Sequence, residues 1–335
     1  MGVYSNHRMK PILTIGALLI KVSLQRNRLT MKQSLMIWLD AARPKTLPLA
    51  LVSILTGSSL AFANDQFSLS IALLAFLTAT LLQILSNLAN DYGDAVKGTD
   101  NENRLGPMRA MQSGAVTAKT MKQAIILNIV FTVIAGLILI FHALTSIESI
   151  LSFIALGVLA IVAAIAYTVG NKPYGYIGLG DLSVFIFFGL LGVSGTYFLH
   201  TGHVEPSLFL PALGCGLMAV AVLNINNMRD IENDSECGKR TMAVRLGQRK
   251  AKHYHFALLG LALVSFAIYL LIQEKPVWIS LPFLLSIVIV YKHGKAVWET
   301  EKPAQIAPMM PVIVKCSLVT NLLFAGVVVA QTLLS

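Results

Sequence analysis

Apolar residues fall along this chain in long uninterrupted runs, separated by polar stretches that hold nearly all of its charge. A helix crosses about 30 Å of hydrocarbon with roughly 17–25 residues at ~1.5 Å each. Nine runs approach that length: Leu47 to Ala63, Leu69 to Leu88, Ala124 to Ala143, Ile150 to Val169, Leu182 to Leu199, Leu208 to Leu223, Ala257 to Ile272, Trp278 to Tyr291 and Pro311 to Leu334. None shows the period-two alternation of a barrel strand, and an open sheet would leave backbone groups unsatisfied in lipid. The expectation is an all-α polytopic membrane bundle of about nine transmembrane helices. The seventh and eighth runs are short, so their boundaries are the loosest.

Composition excludes a water-soluble globule: 56% of the 335 residues are apolar, 13% are charged, and mean hydropathy is +0.71, against about 25% charged in soluble domains. Three cysteines make no disulfide framework, and the scattered histidines have no zinc-ligand spacing. The net charge of +10 raises a nucleic-acid partner. It is set aside because the basic residues punctuate apolar runs and form no aromatic-interleaved patch.

With nine spans, the N-terminal segment and connections 2/3, 4/5, 6/7 and 8/9 share one side. They carry every Lys and Arg except Lys275 and Lys315. The positive-inside rule makes that side cytoplasmic. Residues 1–36 read as an N-terminal extension whose apolar stretch, Pro11 to Ile20, is too short to span and lacks a cleavage site. Residues 37–335 form the membrane domain.

Half of the sixteen carboxylates sit in two loops on the basic side: Asp91, Asp94, Asp100 and Glu102 in the first, Asp230, Glu232, Asp234 and Glu236 in the second. These are also the longest connections, and long loops in a compact protein are usually functional. In each, an Asn precedes an Asp by four (Asn90 and Asp94; Asn226 and Asp230). That spacing puts both on one face if the helix runs on into the loop. Another Asp follows in both, Asp100 and Asp234, and then basic residues. The repeat suggests two related half-bundles facing each other.

Solvated loops of alternating charge account for one such segment more readily than for two that match. Carboxylate oxygens suit Mg²⁺, which keeps several waters and is commonly shared with substrate phosphates. Arg and Lys satisfy the remaining phosphate oxygens. A magnesium diphosphate fits both demands. An allylic diphosphate ionises when charge on its leaving group is stabilised, and the carbocation must be kept from water. An apolar bundle opening to lipid provides that shelter and admits a polyprenyl tail, so the chemistry read from the residues is prenyl transfer to an acceptor at the cytoplasmic face.

At these residues the sequence resembles the UbiA superfamily of intramembrane prenyltransferases. The resemblance rests on Ala42 through Pro48, Asn90-Asp91-Tyr92-Gly93-Asp94 through Asp100, Arg104 through Gly114, Lys172 through Asp181, and Asn226 through Leu246. It is closest to the branch that acts on 1,4-dihydroxy-2-naphthoate. The superfamily pattern places a third acid four residues after Asp94, where this chain has Gly98; Asp100 then takes that role, with Asp91 as the substitute.

The resemblance implies a UbiA-like bundle with a cytoplasmic-side cavity in a bacterial cytoplasmic (inner) membrane. Asn90, Asp94, Asp100, Asn226, Asp230 and Asp234 would hold Mg²⁺, two ions per polyprenyl diphosphate. Arg109, Lys97, Lys239 and Arg240 would contact its oxygens, and Lys172 and Tyr167 would flank the diphosphate or the cation. Arg43 and Lys45 would hold the acceptor's carboxylate or anchor the chain at the interface, and Tyr167 serves equally as an interfacial aromatic. Asp181 is a candidate for acceptor binding or an N-terminal helix cap. The implied reaction joins the prenyl group to 1,4-dihydroxy-2-naphthoate with loss of CO₂, giving demethylmenaquinone in menaquinone biosynthesis. The alternatives are a related enzyme acting on 4-hydroxybenzoate or a tetrapyrrole, and a cation-coupled transporter. Transporter sites sit near the bilayer midplane, where this chain has almost no charge beyond Lys315.

Overall fold

A computed structural model describes residues 33–334, so the Pro11 to Ile20 stretch lies outside the described residues. The described chain opens with helix α1 (33–42), and the apolar runs follow as α2 (Pro48–Ala63), α3 (Leu69–Lys97), α4 (Ala118–Ala143), α5 (Ile147–Ala166), α6 (Gly180–Thr201), α7 (Pro206–Arg229), α8 (Met242–Ile272), α9 (Val277–Glu299) and α10 (Pro303–Leu333). Eight of them are long and apolar enough to cross a membrane. The first expected span, α2, has 16 residues and is largely buried against α6 and α10.

Local chemistry sets several helix ends. Pro48, Pro206 and Pro303 stand at helix starts, where the missing N–H costs nothing. Thr117 and Thr241 cap α4 and α8 by accepting from the backbone N–H of Thr120 and Val244, at 3.2 and 3.3 Å. Gly98 ends α3 at φ +75°, and its N–H bonds back to Ala95 and Asp94.

Helices outrun the apolar runs that foretold them. α3 continues nine residues past Leu88 to Lys97, α7 passes Leu223 to reach Arg229, and α8 begins at Met242 rather than Ala257. Hydropathy marks where lipid contact ends; backbone hydrogen bonding continues wherever the polar side chains find partners. α8 is bent near its start, where Gly247 takes φ 75°, ψ 161°. α6 is wound more widely over Phe185–Gly195, in π-type turns.

The largest core is built around α7, which packs on α6, α8 and α10 and buries Met218, Ile225 and Met228. α6 and α7 approach so closely that a Cβ on Gly189 would lie 2.6 Å from the carbonyl oxygen of Ala212, the small-residue contact expected between helices in lipid. Large apolar side chains such as Ile126, Phe141, Leu151 and Leu271 face outward as a lipid-contacting belt. The turns α2–α3, α4–α5, α6–α7 and α8–α9 lie at one end of the bundle. The connections 98–117, 167–179, 230–241 and 300–302 lie at the other, where the two acidic loops meet.

Candidate active site

The end of α3 and the end of α7 deliver the two acidic segments to one place. Asn90, Asp91 and Asp94 are carried on α3 itself, whereas Asp230 stands one residue past α7 and Asp234 lies in the short helix Ile231–Glu236. Asn233 fastens the loops together by donating to the Thr99 carbonyl at 2.9 Å, and Asn101 donates to the Cys237 sulfur at 3.3 Å.

Three sets of ion pairs fill the junction. Lys239 holds Asp94 and Asp234 at 3.7 and 3.8 Å, one carboxylate from each loop. Arg104 does the same for Asp100 and Asp230, at 3.1 and 3.7 Å. Arg229 also grips Asp230 through two nitrogens and donates to the Asn226 carbonyl at 2.9 Å. Arg43 pairs with Asp91, and the Arg109 Nε lies 3.6 Å from the same carboxylate. Five carboxylates thus face five cations, so the network is close to neutral and cannot take up a multiply charged anion unaided.

Burial shapes the protonation of these groups. It raises Asp100 above the usual carboxylate range despite Arg104, and raises Asp234 to about 6 despite Lys239. Burial opposes the charge of Asp230 as well, but the bonds from Arg229 more than offset it and hold that carboxyl low. For Lys239, too, burial is outweighed by Asp94 and Asp234, and the ammonium lies above its ordinary value. Burial, helped by Arg43 and Arg104, pulls Arg109 down to about 9.

Neutral groups frame the carboxylates. Tyr176 donates to Asp94 at 2.8 Å and shares a 2.6 Å hydrogen bond with Thr99, while Lys97 and Lys239 lie 5.5 and 5.3 Å from the centre of its ring. Thr168 donates to Asn90 at 3.2 Å. Both Asp100 oxygens and Oδ2 of Asp91 are buried without a hydrogen-bond donor. Among the described residues no three His, Cys, Asp or Glu side chains converge on one point. That donor set fits Mg²⁺ used with substrate phosphates, which needs only one or two carboxylates, and does not fit an ion held by protein alone.

The structure therefore brings together Asn90, Asp91, Asp94, Lys97, Asp100, Arg109, Asn226, Asp230, Asp234, Lys239 and Arg43. Asp91 is placed as the shared counter-ion of Arg43 and Arg109, not beside Asp94 and Asp234. Lys45, Lys172 and Arg240 have exposed side chains, and Arg240 reaches the site only through its backbone N–H, which donates to the Tyr176 carbonyl at 2.9 Å. Tyr167 stacks edge-on with Tyr174 and lies against Gly175 and Gly180. Asp181 accepts from Tyr254 at 2.9 Å, away from the ion pairs. The sequence reading passed over Arg104, Arg229 and Tyr176. The two arginines carried a signal, the i,i+4 spacing to Asp100 and adjacency to Asp230; Tyr176 carried none, because its role depends on a connection folding back across the cluster.

Residues 50–319 match the UbiA prenyltransferase family, which is most of the chain. The chain belongs to that family. It is 49% identical over 295 residues to the 1,4-dihydroxy-2-naphthoate octaprenyltransferase of Escherichia coli (strain K12), covering 88% of this chain and 96% of that one. It is 47% identical over 302 residues to the protein of the same name from Haemophilus influenzae, covering 90% and 98%. The fold is similar to a UbiA homologue from Archaeoglobus fulgidus solved with DMAPP and Mg²⁺, with a TM-score of 0.59 at 15% identity over 89% of this chain and all of that one. Family membership makes this a multi-pass intramembrane prenyltransferase, and the transporter alternative falls away.

Proposed function

We propose that this chain transfers a polyprenyl group from polyprenyl diphosphate to 1,4-dihydroxy-2-naphthoate with loss of CO₂, producing demethylmenaquinone in its hydroquinone form. The single observation that carries the reading is that Lys239 and Arg104 each bind a carboxylate from both acidic loops, building one charged pocket in a chain 49% identical to a protein named for that transfer. The A. fulgidus homologue described with DMAPP and Mg²⁺ supports an allylic diphosphate and a divalent ion.

Asp94, Asp100, Asp230 and Asp234, with Asn90 and Asn226, would hold Mg²⁺, in our reading two ions per diphosphate. A divalent ion held by these residues would supply positive charge to offset that gathering on the departing diphosphate. Arg109, Arg104 and Lys239 bind the remaining oxygens and fix the diphosphate against the rim of the bundle. Asp91 aims Arg43 and Arg109 by holding both. Breaking the allylic C–O bond releases diphosphate and leaves the cation inside an apolar bundle, away from water.

The ring carbon that bears the carboxylate then forms the new C–C bond to the prenyl cation; its bond to the carboxylate breaks, the electron pair stays with the ring and restores its aromaticity, and the carboxylate departs as neutral CO₂. Prenyl cation enters as CO₂ departs, so no base is required to take a ring proton. The site faces the cytoplasm of a bacterium's inner membrane, the side on which the basic residues collect.

The test is incubation of membranes containing the chain with a polyprenyl diphosphate, Mg²⁺ and each acceptor separately. Prenylated naphthalenediol with release of CO₂ is expected from 1,4-dihydroxy-2-naphthoate. Product from 4-hydroxybenzoate alone would overturn the acceptor assignment.

A further inference from the structure

Among the described residues, Asp181 is the one buried carboxylate that the acidic pocket leaves unused. It stands in the first turn of α6, is 8% exposed, and does not cap the helix, whose start has no side-chain cap bond. Its Oδ2 instead accepts from the Tyr254 hydroxyl of α8 at 2.9 Å. A carboxyl this buried points to a functional role, because its desolvation needs a return.

These two side chains line an open cavity of about 310 Å³ between α6, α7 and α8, within the size range of small-molecule sites. Its walls are largely apolar, including Phe185, Leu217 and Leu258, and Arg245 stands at its rim, where its Nε would lie 2.8 Å from a Cβ on Gly178. Leu182 stands at its edge, 56% exposed on the lipid-contacting belt. Tyr167 stands beside this end of α6: its hydroxyl would lie 2.9 Å from a Cβ on Gly180, the residue before Asp181.

A carboxylate backed by a phenol selects an O–H donor, and apolar walls select a flat ring. A ring bearing its own carboxylate would be repelled by Asp181, and the Arg245 guanidinium at the rim is turned to the Ile177 and Arg240 carbonyls, to which it donates at 2.6 and 3.3 Å. The acceptor of the proposed reaction carries that carboxylate, and the product has lost it. We propose that this cavity holds a carboxylate-free hydroquinone ring through a hydroxyl donated to Asp181, taking the product as it moves from the acidic pocket toward lipid. The proposal rests on the function proposed above for the ring's identity, and on Asp181, Tyr254 and the cavity for the site.

The experiment measures equilibrium binding of 1,4-dihydroxynaphthalene to the full chain in nanodiscs, kept anaerobic and reduced, with protein-free discs as background. Saturable binding is expected to weaken about tenfold or more in Asp181→Asn, the scale of one hydrogen bond to a charged group. Leu182→Trp, an exposed position that tolerates a large side chain, should block the cavity and weaken binding to the same extent. 1,4-Dihydroxy-2-naphthoate should compete at least about tenfold less well than the diol, which separates product from acceptor as the source of the ring; equal competition would overturn the product assignment. Geranyl thiodiphosphate with Mg²⁺ should not displace the probe. Displacement by that analogue, or full binding by Asp181→Asn, would overturn the site. Probe binding needs no turnover, so failure to prenylate the naphthoate would count against the proposed function alone, and absence of saturable probe binding against the cavity alone.

Discussion

The Lys239 ammonium lies 3.7 Å from Asp94 and 3.8 Å from Asp234, so one cation from the second acidic loop ties together carboxylates that enter on different helices. Its removal leaves two buried acids facing each other without compensation. Lys239→Met is expected to raise the KM for polyprenyl diphosphate about tenfold or more, roughly the value of one charge-assisted contact, and Lys239→Arg to recover part of the loss. Initial rates at varied diphosphate concentration measure both.

Asp94 and Asp230 sit on the two sides of the pocket, each bound to a different bridging cation. Asp94→Asn and Asp230→Asn keep size but turn one accepting oxygen into a donating NH₂ and remove the charge that a metal needs. Each should lower turnover by about 100-fold or more, with membrane insertion unchanged as judged by extraction and detergent-phase chromatography. Turnover near wild type in either variant would take that residue out of the metal site.

Arg109 and Arg43 share Asp91, so removing the carboxylate should mimic removal of what it aims. Arg109→Ala is expected chiefly to raise the KM for the diphosphate, and Asp91→Asn to raise it in the same direction by a smaller factor. An effect of Arg109→Ala confined to the acceptor KM would reverse the assignment of the two pockets.

Proton binding sets a lower pH limit for activity. Asp234, raised to about 6 by burial, gains a proton and loses its charge as pH falls through that value. The proposed role needs Asp234 anionic, so kcat/KM should decline below about 6. Asp234→Asn should abolish the acidic limb.

Gly93 lies between the acids of α3 and is pressed against the chain after α5: a Cβ there would lie 2.5 Å from the Thr168 Oγ1 and 2.7 Å from its backbone carbon. Backbone cannot move aside as a flexible side chain can. Gly93→Ala is expected to cost about 1–3 kcal/mol and to shorten the half-life at elevated temperature in a thermal-inactivation assay, with loss of activity following loss of the folded protein.

The sequence by itself determined the helical membrane class, the gathering of basic residues on alternate connections, and the two matched acidic segments that carry the site. All of these are local patterns: hydrophobic length fixes a span, and an Asn-to-Asp spacing of four fixes a face. Tertiary structure alone decided that Asp91 serves Arg43 from 48 positions away, that Arg104 and Arg229 join the ion pairs between the two acidic loops, that the Arg240 and Lys172 side chains are exposed, and that Asp181 meets Tyr254. Ion pairing between distant segments depends on where helices cross and where each one stops, and polar helix ends are invisible to hydropathy because backbone hydrogen bonds persist after lipid contact has ended.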